Sequence, residues 1–132
     1  MTRQNVSSGS YLEPEIGFSR AVRVGPYAVV AGTAPIAKGG GTEGVGDVYA
    51  QSRRCLEIGL DALAEAGVAP SDVVRTRIML TDPATWKEAA RAHGEVFGDI
   101  RPAATFMAVR GFIDPDWLVE TEIDAIVGGE TP

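Results

Sequence analysis

Residues 117–127, WLVETEIDAIV, restrict the fold of this chain more than any other segment. Every second position from Trp117 to Val127 holds an apolar residue or Thr121, and carboxylates occupy three of the positions between them. Successive side chains of a β-strand point to opposite faces, so the pattern predicts a strand with one buried face and one acidic face. Such a strand belongs in a sheet that carries a hydrophobic layer on one side.

Other periodic segments supply the rest of a sheet and two helices. Gly25-Pro26 separates two apolar runs and predicts a hairpin, and Gly67 and Gly98 mark the ends of two helical patterns. The predicted strands are residues 18–24, 27–33, 72–80, 102–110 and 117–127, and the predicted helices are residues 48–66 and 83–97. The order β-β-α-β-α-β-β predicts an α+β fold in which two helices cover one face of a mixed sheet.

The second face of the predicted sheet has no helix to cover it. Apolar residues at alternate positions on that face need a partner, and another copy of the same chain would supply one. Residues 1–12 are small and polar, which predicts a flexible N-terminal arm. We expect residues 13–130 to form a single domain, since the composition is ordinary for a globular chain of this length.

Composition excludes several classes of function. The formal net charge is −6 and Arg53-Arg54 is the single pair of adjacent basic residues, so we expect no nucleic-acid partner. One cysteine, Cys55, and one histidine, His93, exclude CxxC and multi-histidine metal sites, and we predict neither a metal nor a cofactor. The chain has no apolar run of membrane-spanning length and no signal-peptide core, so we predict no membrane partner and a cytoplasmic location.

Three isolated features have both a structural and a functional interpretation. Gly39, Gly41 and Gly44 have GxGxxG spacing, but they lack the context of a dinucleotide site, so a flexible loop is favoured. His93 lies on the apolar stripe of its helix, where a satisfied interior histidine is favoured over a base, although a ligand contact stays open. Cys55 has apolar neighbours on its helix and is predicted to be an inert buried thiol.

The acidic face of the last strand is more informative. Glu120, Glu122 and Asp124 follow one another at about 7 Å along the strand. On a solvated face these charges need carry no function. In an interface, like charges need partner cations, or the pKa of one carboxylate must rise. A carboxylate held beside water can act as a general acid or base. Both interpretations stay open. The strand arginines that could pair with the carboxylates are Arg20, Arg75, Arg77 and Arg110.

Taken together, these segments resemble the Rid family, also called the YjgF/YER057c/UK114 family and described as endoribonuclease L-PSP. The resemblance covers residues 12–128 and is carried by GFSRAVRVG, VVAGTAPI, AQSRRCLEIGLDALAEAG, DVVRTRIMLTD, RPAATFMAV and VETEIDAIV. It implies a chorismate-mutase-like fold and a homotrimer in which the sheets form a central barrel with the helices outside. It also implies ligand clefts between neighbouring subunits.

The resemblance further implies a site. Members of the family hydrolyse reactive enamines and imines, with an arginine that clamps the substrate carboxylate and a glutamate on the last strand that helps water attack. The arginine position corresponds to Ala104 and the glutamate to Glu122. The other ligand positions that it implies are Phe18, Gly32, Thr33, Ala90 and Thr105, to which we add Arg20, as a displaced clamp, and His93.

Ala104 leaves the function open. Replacing a guanidinium by a methyl group removes a two-pronged anion site, so the chain is identified as a member of a branch without the usual catalytic arginine. One expectation is a homotrimer whose intersubunit clefts bind, and in some form hydrolyse, a small polar imine, enamine or carbonyl compound, with Glu122 as the acid or base. The alternatives are a genuine 2-iminoacid or enamine deaminase that uses another arginine, and a non-enzymatic metabolite-binding or chaperone-like trimer.

Overall fold

The computed structural model describes residues 1–128, which form one six-stranded sheet with three helices. The strands are β1 (Arg3–Val6), β2 (Ala21–Val24), β3 (Tyr27–Thr33), β4 (Val73–Leu80), β5 (Ala103–Ala108) and β6 (Val119–Ile126). The helices are α1 (Leu12–Ile16), α2 (Val48–Glu65) and α3 (Trp86–Phe97), and short 3-10 turns lie at Pro70–Asp72 and Pro83–Thr85. No helix among these residues is long and apolar enough to cross a membrane.

The sheet is mixed, as the element order predicts. Its strand order is β1-β2-β3-β6-β4-β5, with β4 and β5 parallel and every other pair antiparallel. The parallel pair requires a crossover, which α3 provides. The α+β fold class is confirmed.

The alternation in residues 117–127 determines which side of the sheet is buried. Val119, Thr121, Ile123 and Ala125 are each at most 1% exposed, while the residues between them are partly exposed. Helix α2 packs on this apolar side against β3 and β6, and α3 packs on α2. We call this side the helix face. The residues that alternate with it form the open face, defined here as Arg75, Arg77, Thr105, Met107, Glu120, Glu122 and Asp124.

The N-terminal residues, expected to form a flexible arm, carry two elements. Strand β1 pairs along its length with β2, and its last residue, Val6, is 4% exposed in the core. Helix α1 follows and ends at Gly17, whose φ of 92° suits glycine. Four residues with one buried side chain are too few for a visible alternation, so the sequence gives no strand signal there. The division at residue 13 stays a prediction, and residues 129 and 130 lie outside the described part of the chain.

Several predicted boundaries shift by a few residues. Strand β2 begins at Ala21 rather than at residue 18, because α1 ends in a turn at Gly17 and residues 18–20 are irregular. Asp82 caps a 3-10 turn by accepting a hydrogen bond from the Ala84 amide at 2.9 Å, and the regular helix α3 begins only at Trp86. A capping residue therefore predicts where the helical segment begins. It does not predict whether the first turn is a 3-10 turn or an α-helical turn.

Candidate functional site

The open face brings the predicted acidic residues opposite two arginines. In the register of β4 with β6, Arg77 lies opposite Glu122 and Arg75 lies opposite Asp124. Arg77 forms an ion pair with Asp124 at 3.6 Å, and the Nη2 atom of Arg75 donates to the Thr105 hydroxyl at 3.1 Å. Of the three carboxylates of β6, only Asp124 is ion-paired within residues 1–128.

Glu122 stands apart from these pairs. Its side chain is partly buried, and within residues 1–128 it takes part in no hydrogen bond or ion pair. The Nε atom of Arg75 is likewise a buried donor without a partner in the same stretch of chain. Buried polar atoms are normally satisfied, so the buried Arg75 donor and the accessible Glu122 carboxylate on the same face are suited to an external polar group.

Glu120 lies against the backbone at Gly32. A Cβ atom at position 32 would lie 3.1 Å from the Oε1 atom of Glu120, so the lack of a side chain leaves room for the carboxylate. Burial raises the pKa of Glu120, the charge of Arg20 lowers it in part, and Glu122 raises it further. Sequence reasoning placed the acid or base role on Glu122 alone. The sequence feature that could have identified Glu120 as a second candidate is its position two residues before Glu122, on the same face of the strand.

Arg20 is held by the protein rather than free for a ligand. It is 4% exposed; its Nη1 atom donates to the Gly32 carbonyl at 2.7 Å and to the Thr33 hydroxyl at 3.1 Å. Its Nε atom donates to the Ser8 hydroxyl, and its Nη2 atom lies 3.7 Å from a Glu13 oxygen. A bidentate clamp needs two free parallel donors. Within residues 1–128, Nη2 is the one guanidinium nitrogen of Arg20 that donates no hydrogen bond. Arg20 can therefore offer a ligand one donor atom rather than two.

Two further predicted ligand residues contact Arg20. The Phe18 ring lies under its guanidinium, with 5.2 Å from Cζ to the ring centroid. Thr33 is 1% exposed and donates its hydroxyl to the Ala31 carbonyl at 2.8 Å, so both functions of that hydroxyl are used inside the chain. Phe18, Arg20, Gly32 and Thr33 therefore form one contiguous group.

The remaining predicted residues lie on the other side of the sheet. Ala104 is the register partner of Thr76, whose hydroxyl lies 2.7 Å from the Nε2 atom of His93. Burial lowers the pKa of His93, which keeps the imidazole neutral at neutral pH. Ala90 precedes His93 by three residues on α3, about one helical turn. Thr105 follows Ala104 along β5 and consequently faces the opposite side, with Arg75.

A single chain thus separates the predicted site into three groups. Thr105 and Glu122 lie on the open face, and Ala90, His93 and Ala104 lie on the helix face at the β5 edge. Phe18, Gly32 and Thr33 surround Arg20, and Thr33 is the register partner of the buried Thr121.

One cavity coincides with none of these groups as a whole. It has a volume of about 540 Å³ and lies between residues 8–11, the Gly-rich loop and α2. Of the predicted ligand residues, Arg20 and Thr33 line it, whereas Glu122 and Ala104 do not. The cations in its wall are largely matched, since Arg54 pairs with Glu57 and Arg20 with Glu13. The cavity therefore does not bring the predicted acid or base together with a ligand.

Cys55 behaves as predicted from its neighbours. It is 0% exposed, and its thiol donates to the Val119 carbonyl at 3.6 Å. Burial raises the pKa of the thiol well above its ordinary value, so the reactive thiolate is disfavoured. The predicted burial of the thiol is confirmed, and its inertness stays a prediction. No cluster of three or more His, Cys, Asp or Glu side chains suited to a metal occurs in residues 1–128.

Comparison with known proteins gives consistent matches over nearly the whole chain. Residues 9–127 match the family described as Endoribonuclease L-PSP. An uncharacterized protein of Streptomyces coelicolor is 39% identical over 125 residues, which are 95% of this chain and 92% of that protein. The 3-aminoacrylate deaminase RutC of Acinetobacter baylyi is 32% identical over 100 residues, 76% of this chain and 79% of that protein.

A solved structure agrees with the sequence matches. The crystal structure of a Mycobacterium tuberculosis protein, described as a member of the YjgF/YER057c/UK114 family, superimposes with a TM-score of 0.86. It is 44% identical, and the match covers 96% of this chain and 100% of that one.

Proposed function

This chain belongs to the Endoribonuclease L-PSP family, the Rid or YjgF/YER057c/UK114 family, and on that premise we propose that it forms a homotrimer with ligand clefts between its subunits. The ligand is a small polar metabolite of the imine, enamine or carbonyl class. Glu122 orients this ligand and acts as the general acid or base, and Ala104 stands where the family's carboxylate clamp would be.

One observation carries the proposal. Glu122 is a partly buried carboxylate with no partner in the described part of the chain, while neighbouring Asp124 is paired with Arg77. The Glu122 oxygens are not fully buried, so water or a ligand can reach the carboxylate and form a charge-assisted hydrogen bond with it. Because Glu122 and Ala104 face opposite sides of one sheet, a cleft that contains both requires a second copy of the chain.

The chemistry follows from a carboxylate beside a bound imine. Glu122 accepts a proton from water while the oxygen attacks the imine carbon, and the C=N bond becomes a C–N single bond. Glu122 returns this proton to the nitrogen, and the hydroxyl proton of the resulting carbinolamine follows by way of the same carboxylate. The C–N bond then breaks with loss of ammonia as the C–O bond becomes a carbonyl. The step consumes one water and needs no oxidant or cofactor.

The test compares Glu122→Gln with Asp124→Asn, a matched change on the same strand and face. Ammonia and carbonyl release from freshly generated imines, and binding of the stable carbonyl products, are measured for both variants and the wild type. We expect Glu122→Gln to lower turnover by a factor of about 10²–10⁴ and to weaken binding, because an amide cannot accept the proton. We expect Asp124→Asn to change either quantity much less. If Glu122→Gln matches the wild type in both, the proposal is wrong.

A second candidate is deamination of 2-iminoacids with another arginine as the clamp. It is favoured by the 32% identity to a protein named 3-aminoacrylate deaminase. The wild type and Ala104→Arg distinguish the two candidates. Release of ammonia from 2-iminoacids by the wild type supports this candidate, whereas activity gained only in Ala104→Arg indicates a cleft adapted to a ligand without that carboxylate. Tight binding without turnover in either protein would indicate a non-enzymatic metabolite-binding protein.

A further inference from the structure

His93 is the single histidine of the chain and is fixed through one ring nitrogen. Its Nε2 atom lies 2.7 Å from the hydroxyl of Thr76, a residue with 0% exposure in the sheet. Its ring packs 4.9 Å from Phe97 and 6.0 Å from Phe106, measured between centroids. These contacts fix the orientation of the imidazole on the helix face.

The second ring nitrogen, Nδ1, has no hydrogen-bond partner among residues 1–128. The ring is only partly buried, so this atom can reach solvent or a ligand. Burial lowers the pKa of the imidazole, which is therefore neutral under physiological conditions. A neutral imidazole with Nε2 engaged offers one hydrogen-bonding atom and no charge.

The sheet residues that border His93 are neutral: Thr76 and Phe106 contact it, and Ala104 is the register partner of Thr76. Ala104 is exposed beside Thr76 in the register of β4 with β5, and no residue of β5 carries a charge. The cations of α3 lie beside other aromatic rings: Arg91 is 3.9 Å from the Tyr49 ring centroid and Lys87 is 5.8 Å from that of Trp86. Arg75 donates to Thr105, on the opposite side of the sheet.

We propose that His93 is the specificity residue of the cleft, with its Nδ1 atom hydrogen-bonded to one uncharged polar atom of the ligand next to Ala104. The preferred ligands are neutral imines, enamines or carbonyl compounds that bear a carboxamide or ester in place of a carboxylate. This inference rests on the proposed function, because it concerns the same cleft.

The selectivity has a physical cause. A carboxylate next to Ala104 would lose part of its hydration without meeting a cation, and an unpaired charge is costly to desolvate. A carboxamide loses less hydration and recovers a hydrogen bond from or to Nδ1. Sites that hydrogen-bond a neutral group discriminate strongly against ligands whose polar groups are left unpaired.

Binding of a stable pair of ligands tests the inference without relying on turnover. The probes are a 2-oxo acid and the matching 2-oxo amide, measured by calorimetry and by the NMR signals of the His93 ring. We expect the amide to bind at least about tenfold more tightly and to shift the Nδ1 signal. Equal affinity, tighter binding of the acid, or an unshifted Nδ1 signal would overturn the inference.

Two variants separate this inference from the proposed function. His93→Phe keeps the aromatic packing and removes the hydrogen bond, and we expect it to abolish the preference for the amide while Glu122→Gln weakens both ligands. Thr76→Val frees the ring without removing it, and we expect a smaller loss of preference. If Glu122→Gln weakens binding but His93→Phe leaves the preference intact, the proposed function stands and the role of His93 is refuted. If neither ligand binds the wild type, both proposals are refuted.

Discussion

At the scale of single residues, the Glu13–Arg20 pair holds the N-terminal segment on the sheet. Both side chains are at most 5% exposed, and the Glu13 carboxylate accepts hydrogen bonds from the amide and hydroxyl of Ser8. Burial alone would raise the pKa of Glu13, but the hydrogen bonds from Ser8 and Ser7 and the charge of Arg20 outweigh it and lower the pKa. A carboxylate with a lowered pKa stabilises the folded state once it is ionised.

Glu13→Gln should therefore lower the free energy of unfolding at neutral pH, by on the order of 3 kcal/mol, because it leaves the buried Arg20 charge without its partner. The stabilisation by Glu13 is present above its ordinary pKa of 4.5 and is lost as the pH falls through the lowered folded-state value. The gap between wild type and variant should accordingly narrow in acid.

Urea unfolding at a series of pH values measures this gap. Glu15→Gln, an exposed change in the same short helix, is the control and should stay within about 0.5 kcal/mol of the wild type. A gap that does not change between neutral pH and pH values below 4.5 would contradict the assigned role of the Glu13 charge.

At the scale of elements, the close approach of α2 to the sheet depends on a glycine. A Cβ atom added at Gly59 would lie 3.0 Å from the Cδ1 atom of Ile123 and 3.4 Å from the Cγ1 atom of Val30. Ile123 and Val30 are at most 3% exposed, so neither can move without repacking the core. A glycine in the helix interior is thus accepted, despite its cost, because it lets the helix lie close to β3 and β6.

Gly59→Ala and Gly94→Ala form a matched pair that separates helix propensity from packing. At Gly94 nothing lies within 4 Å of the added atom, so alanine should stabilise the protein by about 1 kcal/mol. At Gly59 overpacking, at about 1–3 kcal/mol, should cancel or exceed the same gain. Thermal and urea unfolding measure both changes. An equal stabilisation at the two positions would contradict the expected overpacking and would show that Ile123 and Val30 can repack around the added methyl group.

At the scale of the whole molecule, a single chain leaves apolar surface and an unpaired strand edge. Met107 on the open face is 37% exposed, and Tyr27 and Ile126, a register pair of β3 and β6, are 48% and 46% exposed. Strand β5 lies at one end of the sheet order and is exposed along most of its length. Exposed edges and apolar patches of this kind are normally covered by a partner.

Assembly can be tested with a charge on the open face. We expect the wild type to sediment as a trimer and Met107→Glu to dissociate, because one added carboxylate from each subunit would be desolvated in the interface. Ile113→Glu places the same charge on a side chain that is 67% exposed between β5 and β6, and it should remain trimeric. A monomeric wild type, or a trimeric Met107→Glu, would refute the proposed use of the open face.

The sequence alone predicts most of the fold, because alternation and helical spacing are local signals. The alternation in residues 117–127 identifies the buried face of β6, residues 27–33 coincide with β3, and Asp47 caps α2 as expected. Strand β1 was missed because its order comes from pairing with β2 rather than from its own pattern. Family resemblance supplied the candidate site positions but not their neighbours.

The sequence by itself determined which residues share a face of each strand and helix, because the direction of a side chain follows from its position along the element. Only the tertiary structure decided which polar groups are paired. Hydrogen bonds between residues distant in sequence commit Arg20 to Gly32 and Thr33 and attach His93 to Thr76, while Glu122 is left without a partner in the described chain. Such contacts depend on strand register and on packing between elements, which no local pattern encodes.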